Sequence, residues 1–264
     1  MQIEAVADTS SGALRVLGPL DVPGLQARNV RVWLPPGFRR GTHTPVLYMF
    51  DGQNVFDDGP SYSGGWYVHE ALERLGAKLP RLPVVVGIDH GGERRLDELS
   101  PFQSHQSQGH ADRLLAWMTR ALVPAVAREL RLLTGREETF IGGSSMGGLC
   151  SLYALFRHPE VFAGAMCMSP SFWFADGRIF SWLEERPLPP AARLYLDCGA
   201  REGRSMLPPT ERMADYLTKR GFPRTRLLFK ADPRGTHSEK DWRRRLPGAL
   251  RFLFGADANT VRAR

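Results

Sequence analysis

The sequence predicts an α/β architecture, a mostly parallel central sheet with helices on both faces, on three observations. Short apolar, β-branched or aromatic runs recur along the chain. Helix-period segments lie between most of them. One strand, glycine turn and helix junction, Gly142-Gly143-Ser144-Ser145-Met146-Gly147-Gly148, stands where two such elements meet. Parallel neighbours need crossover connections, so this alternation is what a parallel sheet writes into a chain.

The strands are expected at Val30–Leu34, Val46–Phe50, Val84–Ile88, Thr139–Ile141, Ala165–Met168, Leu194–Leu196 and Arg226–Phe229. Helices are expected at Tyr67–Leu75, Asp112–Arg131, Met146–Arg157, Thr210–Arg220 and Lys240–Phe254. Pro124 lies inside the second helix and is expected to kink or split it, because proline supplies no backbone N–H. Ligand sites in such sheets gather beyond the carboxyl ends of the strands. That rule filters the candidate residues.

With 264 residues, 42% of them hydrophobic, the chain can bury one substantial core. No linker, charge block or repeat divides it, so residues 1–264 read as a single domain. No apolar run reaches membrane-spanning length, and the amino terminus lacks an apolar stretch of secretory type. The three cysteines, Cys150, Cys167 and Cys198, have apolar neighbours and no metal-ligand spacing. Reduced, buried thiols fit a cytoplasmic location. The net charge of +7 comes mostly from arginines scattered among acids, with no nucleic-acid motif beside them, so no nucleic-acid partner is expected. An anionic small substrate is a better use of such arginines.

Gly143-Ser144-Ser145-Met146-Gly147 has the pattern G-x-S-x-G between a strand and a helix, the context of a nucleophile elbow. Ser145 is the candidate nucleophile. A serine hydroxyl needs a base, usually histidine, oriented by an acid. Of seven histidines, His237 lies in the loop between the last strand and the last helix, in the Ser, acid, His chain order of this motif. His90, just past another strand, is its rival. For the acid, Glu202 follows the Leu194–Leu196 strand in a glycine-containing turn, with Asp197 as competitor and Asp232 as a third choice. The amides of Met146 and Gln53, the latter in the loop Asp51-Gly52-Gln53-Asn54, are the expected oxyanion donors. Asp57 and Asp58 alone do not make a cation site, and no metal is expected.

With these motifs and Ser169-Pro170-Ser171-Phe172-Trp173 in place, nearly the whole chain resembles the putative-esterase branch of the α/β-hydrolases. That branch holds siderophore esterases, feruloyl and acetyl-xylan esterases, S-formylglutathione hydrolases and mycolyltransferases. The resemblance implies an α/β-hydrolase fold without a large lid domain. It implies Ser145 and His237 as catalytic residues, the Gln53 and Met146 amides as oxyanion donors, and Glu202 as the matching acid. Some siderophore esterases of the branch work with a serine and histidine pair alone. No metal or organic cofactor is implied. The expected activity is hydrolysis of a small-molecule carboxylic ester, aryl or siderophore-like, through an acyl-enzyme. An acyltransferase on the same residues and a non-catalytic binding protein are the alternatives. For substrate, Phe172 and Trp173 are expected to form an aromatic wall, with Phe180 and Trp182 assigned to the core. Arg94 and Arg95 on the opposite rim are expected to meet an anionic or catecholate group, or to pair with Glu93, Asp97 and Glu98.

Overall fold

The computed structural model describes residues 12–61, 63–133 and 135–256. Eight strands form one sheet: β1 (Ala13–Leu20), β2 (Arg28–Leu34), β3 (Val46–Phe50), β4 (Val84–Ile88), β5 (Thr139–Ser144), β6 (Gly164–Met168), β7 (Arg193–Gly199) and β8 (Leu227–Asp232). Their order is β1-β2-β4-β3-β5-β6-β7-β8. The pairs β1·β2 and β2·β4 are antiparallel, and every pair from β4 to β8 is parallel. All residues of β3, β4 and β5 are buried, as a strand covered on both faces demands. The edge strands β1 and β8 are not covered in this way.

The helices are α1 (Val68–Leu75), α2 (Arg95–Leu99), α3 (Ala111–Trp117), α4 (Val123–Glu129), α5 (Met146–Arg157), α6 (Phe174–Glu184), α7 (Leu207–Lys219) and α8 (Glu239–Phe254). The strand alternation divides the core in two. Val32, Tyr48, Val84 and Val86 face one side, where α3 to α7 contribute Leu114, Val126, Leu152, Ile179 and Leu217. Trp33, Leu47, Val85 and Tyr195 face the other, against Leu72 of α1 and Leu246 and Leu250 of α8. Each such side chain, fully buried, stabilises the fold by about 1.5–3 kcal/mol.

The expected 112–131 helix is split. A five-residue π-turn, Met118–Leu122, separates α3 from α4. Pro124 sits in the first turn of α4, where its missing N–H breaks the ladder to the preceding turn. Three elements lie outside the sequence expectation: β1, α2 and α6. The last starts through three left-handed residues, Ala175, Asp176 and Gly177, which erase a helical repeat. Only α6 occupies the connection between β6 and β7, so no large lid covers the carboxyl ends of the strands. Among the described residues no helix is long and apolar enough to cross a membrane.

Candidate active site

Ser145 sits between the end of β5 and the start of α5 with φ 56° and ψ −120°. That conformation is strained for a residue with a Cβ, by roughly 1–3 kcal/mol. The surroundings enforce it. Ser145 N–H donates to the Met168 carbonyl at 3.0 Å, and Ser171 N–H donates to the Ser145 carbonyl at 3.0 Å. The turn closes so tightly that a Cβ on Gly143 would stand 3.0 Å from the Gly147 carbonyl carbon. The hydroxyl is thereby aimed out of the strand end.

His237 and Glu202 meet it there. His237 Nε2 lies 3.0 Å from Ser145 Oγ, and His237 Nδ1 lies 2.7 Å from Glu202 Oε2. The three come from the ends of β5, β7 and β8, all at one end of the sheet. The His237 loop is pinned by the entry to α8. Ser238 caps that helix by accepting from Asp241 N–H, while Asp241 accepts from the Thr236 N–H and hydroxyl. Trp242 packs edge-on against the imidazole, with ring centroids 4.9 Å apart.

The two leading acid candidates, Glu202 and Asp197, have different surroundings. Burial, the largest single influence, pushes the Glu202 carboxyl up, but hydrogen bonds from His237, Ser169 and the Gly199 N–H together hold it below the usual glutamate range. Asp197 is fully buried within β7 and touches Tyr195, Ser169 and Arg245 instead. Burial pushes its carboxyl up to about 6, against the pull of Arg245. Asp232, the third choice, pairs with Arg244. His90 turns its Nδ1 to the Gly92 N–H in its own loop, 2.9 Å away.

The Asp51–Asn54 turn approaches the elbow from β3. A Cβ on Gly147 would lie 3.3 Å from Phe50 Cβ and 3.4 Å from Asp51 Oδ2. Met146 N–H is the first of α5, so no helical carbonyl accepts from it. In the Gly52–Asn54 turn, Asn54 N–H donates to the Asp51 carbonyl and Val55 N–H to the Gly52 carbonyl. Gln53 also ties this turn to β4, its side-chain oxygen accepting from His90 N–H at 3.3 Å.

The rim residues part ways. Trp173 is 43% exposed, but Phe172 has no exposed surface and packs edge-on to Phe180 in the core. Phe172 therefore cannot belong to the expected aromatic wall, since it turns into the core while Trp173, the next residue, is exposed. Phe180 is buried too, and Trp182 packs tilted against Tyr153, with ring centroids 4.4 Å apart. Arg94 is exposed and pairs with Asp97. Arg95 grips Asp51 with two hydrogen bonds, 2.6 and 2.8 Å, a partner the sequence reading did not include. Glu239 belongs to the same neighbourhood: burial raises its carboxyl, Asp51 adds to the rise, and His237 and Arg95 oppose it.

The Ser171 hydroxyl lies 3.3 Å from Ser145 Oγ, and only its place three residues past β6 pointed to this. A cleft of about 480 Å³ opens at Trp173, lined also by Asp176, Arg178, Gln103, Ser104 and His105. A larger cavity of about 620 Å³ lies at the opposite end of the sheet, around Pro45, Phe140 and Phe254, away from Ser145. Among the described residues no group of His, Cys, Asp and Glu is placed to hold a metal ion.

A strand-end serine facing a histidine across a sheet of this order defines the α/β-hydrolase class. The Putative esterase family model matches residues 25–253, and the chain belongs to that family; by class it is a carboxylic ester hydrolase. The chain is 23% identical over 249 residues to the uncharacterized protein YbbA of Bacillus subtilis, covering 89% of this chain and 95% of that one. It is 28% identical over 218 residues to the iron(III) salmochelin esterase of Escherichia coli, covering 77% of this chain and 51% of the relative. In structure it is similar to the siderophore hydrolase EstA of Aspergillus nidulans, with a TM-score of 0.69 at 22% identity, over 96% of this chain and 97% of that one.

Proposed function

We propose that the chain hydrolyses aryl or siderophore-like carboxylic esters through an acyl-enzyme on Ser145. The observation that carries this reading is the unbroken relay from Ser145 Oγ to His237 Nε2 at 3.0 Å and from His237 Nδ1 to Glu202 Oε2 at 2.7 Å. His237 takes the Ser145 proton as the hydroxyl oxygen attacks the ester carbonyl. The tetrahedral oxyanion is held by the Met146 and Gln53 amides, each worth about 2.7–4 kcal/mol in such chemistry. The imidazolium returns its proton to the leaving alcohol oxygen as the C–O bond breaks. Water, deprotonated by the same nitrogen, then attacks the acyl-enzyme and releases the acid.

The substrate class rests on two supports. One is Trp173, a large exposed ring beside a cleft sized for a small molecule. The other is the name of the salmochelin esterase relative. With Arg95 engaged by Asp51, the arginine rim is not a free anion site, and the ring does the selecting.

Labelling by a fluorophosphonate, together with turnover of a panel of aryl, sugar-linked and siderophore esters, tests the reading. Labelling and turnover are both expected to vanish in Ser145→Ala. Turnover that survives that substitution would refute it. A panel led by acetyl esters would refute the substrate class alone.

A further inference from the structure

The two oxygens of Glu202 are held by different partners. Oε2 faces His237 Nδ1. Oε1 accepts from Gly199 N–H at 2.7 Å and from the Ser169 hydroxyl at 2.6 Å, with the Arg245 guanidinium at 3.4 Å. Ser169 Oγ is in turn 2.9 Å from Trp242 Nε1 and 2.8 Å from Arg245 Nη2.

Donor chemistry fixes every proton in this chain. An indole N–H and a guanidinium can only donate, so both lone pairs of Ser169 Oγ are taken. Its single hydrogen is left for Glu202 Oε1. That oxygen then receives donors only, and together they fix the plane of the carboxylate with its other oxygen toward His237. Trp242 and Arg245 are three residues apart on α8, which puts both donors on one helix face toward Ser169.

Charge adds a second constraint. The side chains of Glu202 and Asp197 have no exposed surface, and that of Arg245 is 6% exposed. Arg245 Nε faces Asp197 Oδ2 at 3.5 Å, so one buried cation serves two buried carboxylates. With both carboxylates ionised, the cluster carries one surplus negative charge while His237 is neutral, and none when His237 is protonated.

We propose that Arg245 is a positioning residue for ester hydrolysis: through Ser169 it locks Glu202 with Oε2 toward His237, while Asp197 keeps the surplus negative charge that the imidazolium neutralises. The inference rests on the serine-esterase reading above. The remaining groups around the pair are the same in every variant below. They are Tyr195 and Cys198 on β7, whose protons burial holds on, Asp232 on β8, paired with Arg244, and Glu239 on α8 with its Arg95–Asp51 neighbours.

The test is the pH profile of kcat/KM on an aryl ester for Arg245→Met, Asp197→Asn, the double variant and Arg245→Lys. Removing the second carboxylate is expected to lower the acid limb by about one pH unit, whereas in Arg245→Met the buried Asp197, without its cation, keeps its own proton and the limb stays near the wild-type position. The double variant restores the limb but keeps a kcat about 10- to 100-fold low, because Ser169 has lost a donor that orders it. Arg245→Lys is expected to hold the limb and recover part of kcat. Should Arg245→Met fail to fold, the uncharged double variant and Asp197→Asn carry the comparison.

An acid limb that stays in place in Asp197→Asn, or limbs that move together in both single variants, would show that Arg245 merely staples α8 to β7. A double variant with full kcat would show the same. A wild-type chain without turnover and without Ser145 labelling would overturn the esterase mechanism itself, and this inference with it.

Discussion

Glu202 Oε2 lies 2.7 Å from His237 Nδ1, on a carboxylate side chain with no exposed surface. A buried acceptor at that distance selects the imidazole tautomer with hydrogen on Nδ1, which leaves the Nε2 lone pair for Ser145. In Glu202→Gln the amide can present N–H to Nδ1 and favour the opposite tautomer. A fall in kcat of about 10⁴-fold is expected, with KM changed far less. Steady-state kinetics on a chromogenic ester, with fluorophosphonate labelling slowed in parallel, provide the check.

Gly52 controls how closely the Gln53 turn approaches the sheet. A Cβ there would lie 2.6 Å from both the Gly87 carbonyl carbon and the Ile88 nitrogen, backbone atoms of β4 that cannot swing aside. Gly52→Ala is expected to destabilise the fold by about 1–3 kcal/mol. Displacing the Gln53 amide also lowers kcat by about 10²–10³-fold. Urea unfolding and kinetics on the same preparation separate the two effects. A variant that is destabilised yet turns over normally would remove Gln53 from the oxyanion site.

Adjacent aromatics give opposite phenotypes. Trp173→Ala removes an exposed ring and is expected to leave the melting temperature nearly unchanged. Its kcat/KM for aryl esters falls about 10-fold relative to acetyl esters, as loss of an aromatic contact implies. Phe172→Ala empties a core site and is expected to destabilise by about 3–5 kcal/mol, with ester preference retained in the folded fraction. Melting curves beside a two-substrate comparison distinguish them.

Asp197 gives stability a pH signature. Burial raises its carboxyl from 3.8 to about 6, so between those values the native chain holds a proton that the unfolded chain has released. Its contribution to stability is full below about pH 4 and is lost as the pH rises through about 6. Asparagine does not titrate, so Asp197→Asn is expected to be less favourable relative to wild type at pH 5 than at pH 7.5. The contrast is on the order of 1–2 kcal/mol. Melting temperatures of both chains at the two pH values measure it, and an equal difference at both would contradict the expectation.

Sequence alone located the central strands, the major helices and the Ser145 turn, because those features are local. A fully buried parallel strand is a continuous apolar run, and the Ser145 turn needs small residues at fixed offsets. Features without a local cause stayed illegible. Strand β1 lies at an edge, where no second covered face imposes a pattern. Helix α6 enters through left-handed Ala175 and Asp176, which break the helical period. Tertiary structure alone decided which carboxylate faces His237: Asp197, inside β7, turns toward Arg245 of α8, and Glu202, in the turn beyond, meets the imidazole. It also turned Phe172 inward and Trp173 outward, and gave Arg95 to Asp51, 44 residues away. These outcomes depend on where a side chain points after the layers close, and no spacing along the chain encodes a direction.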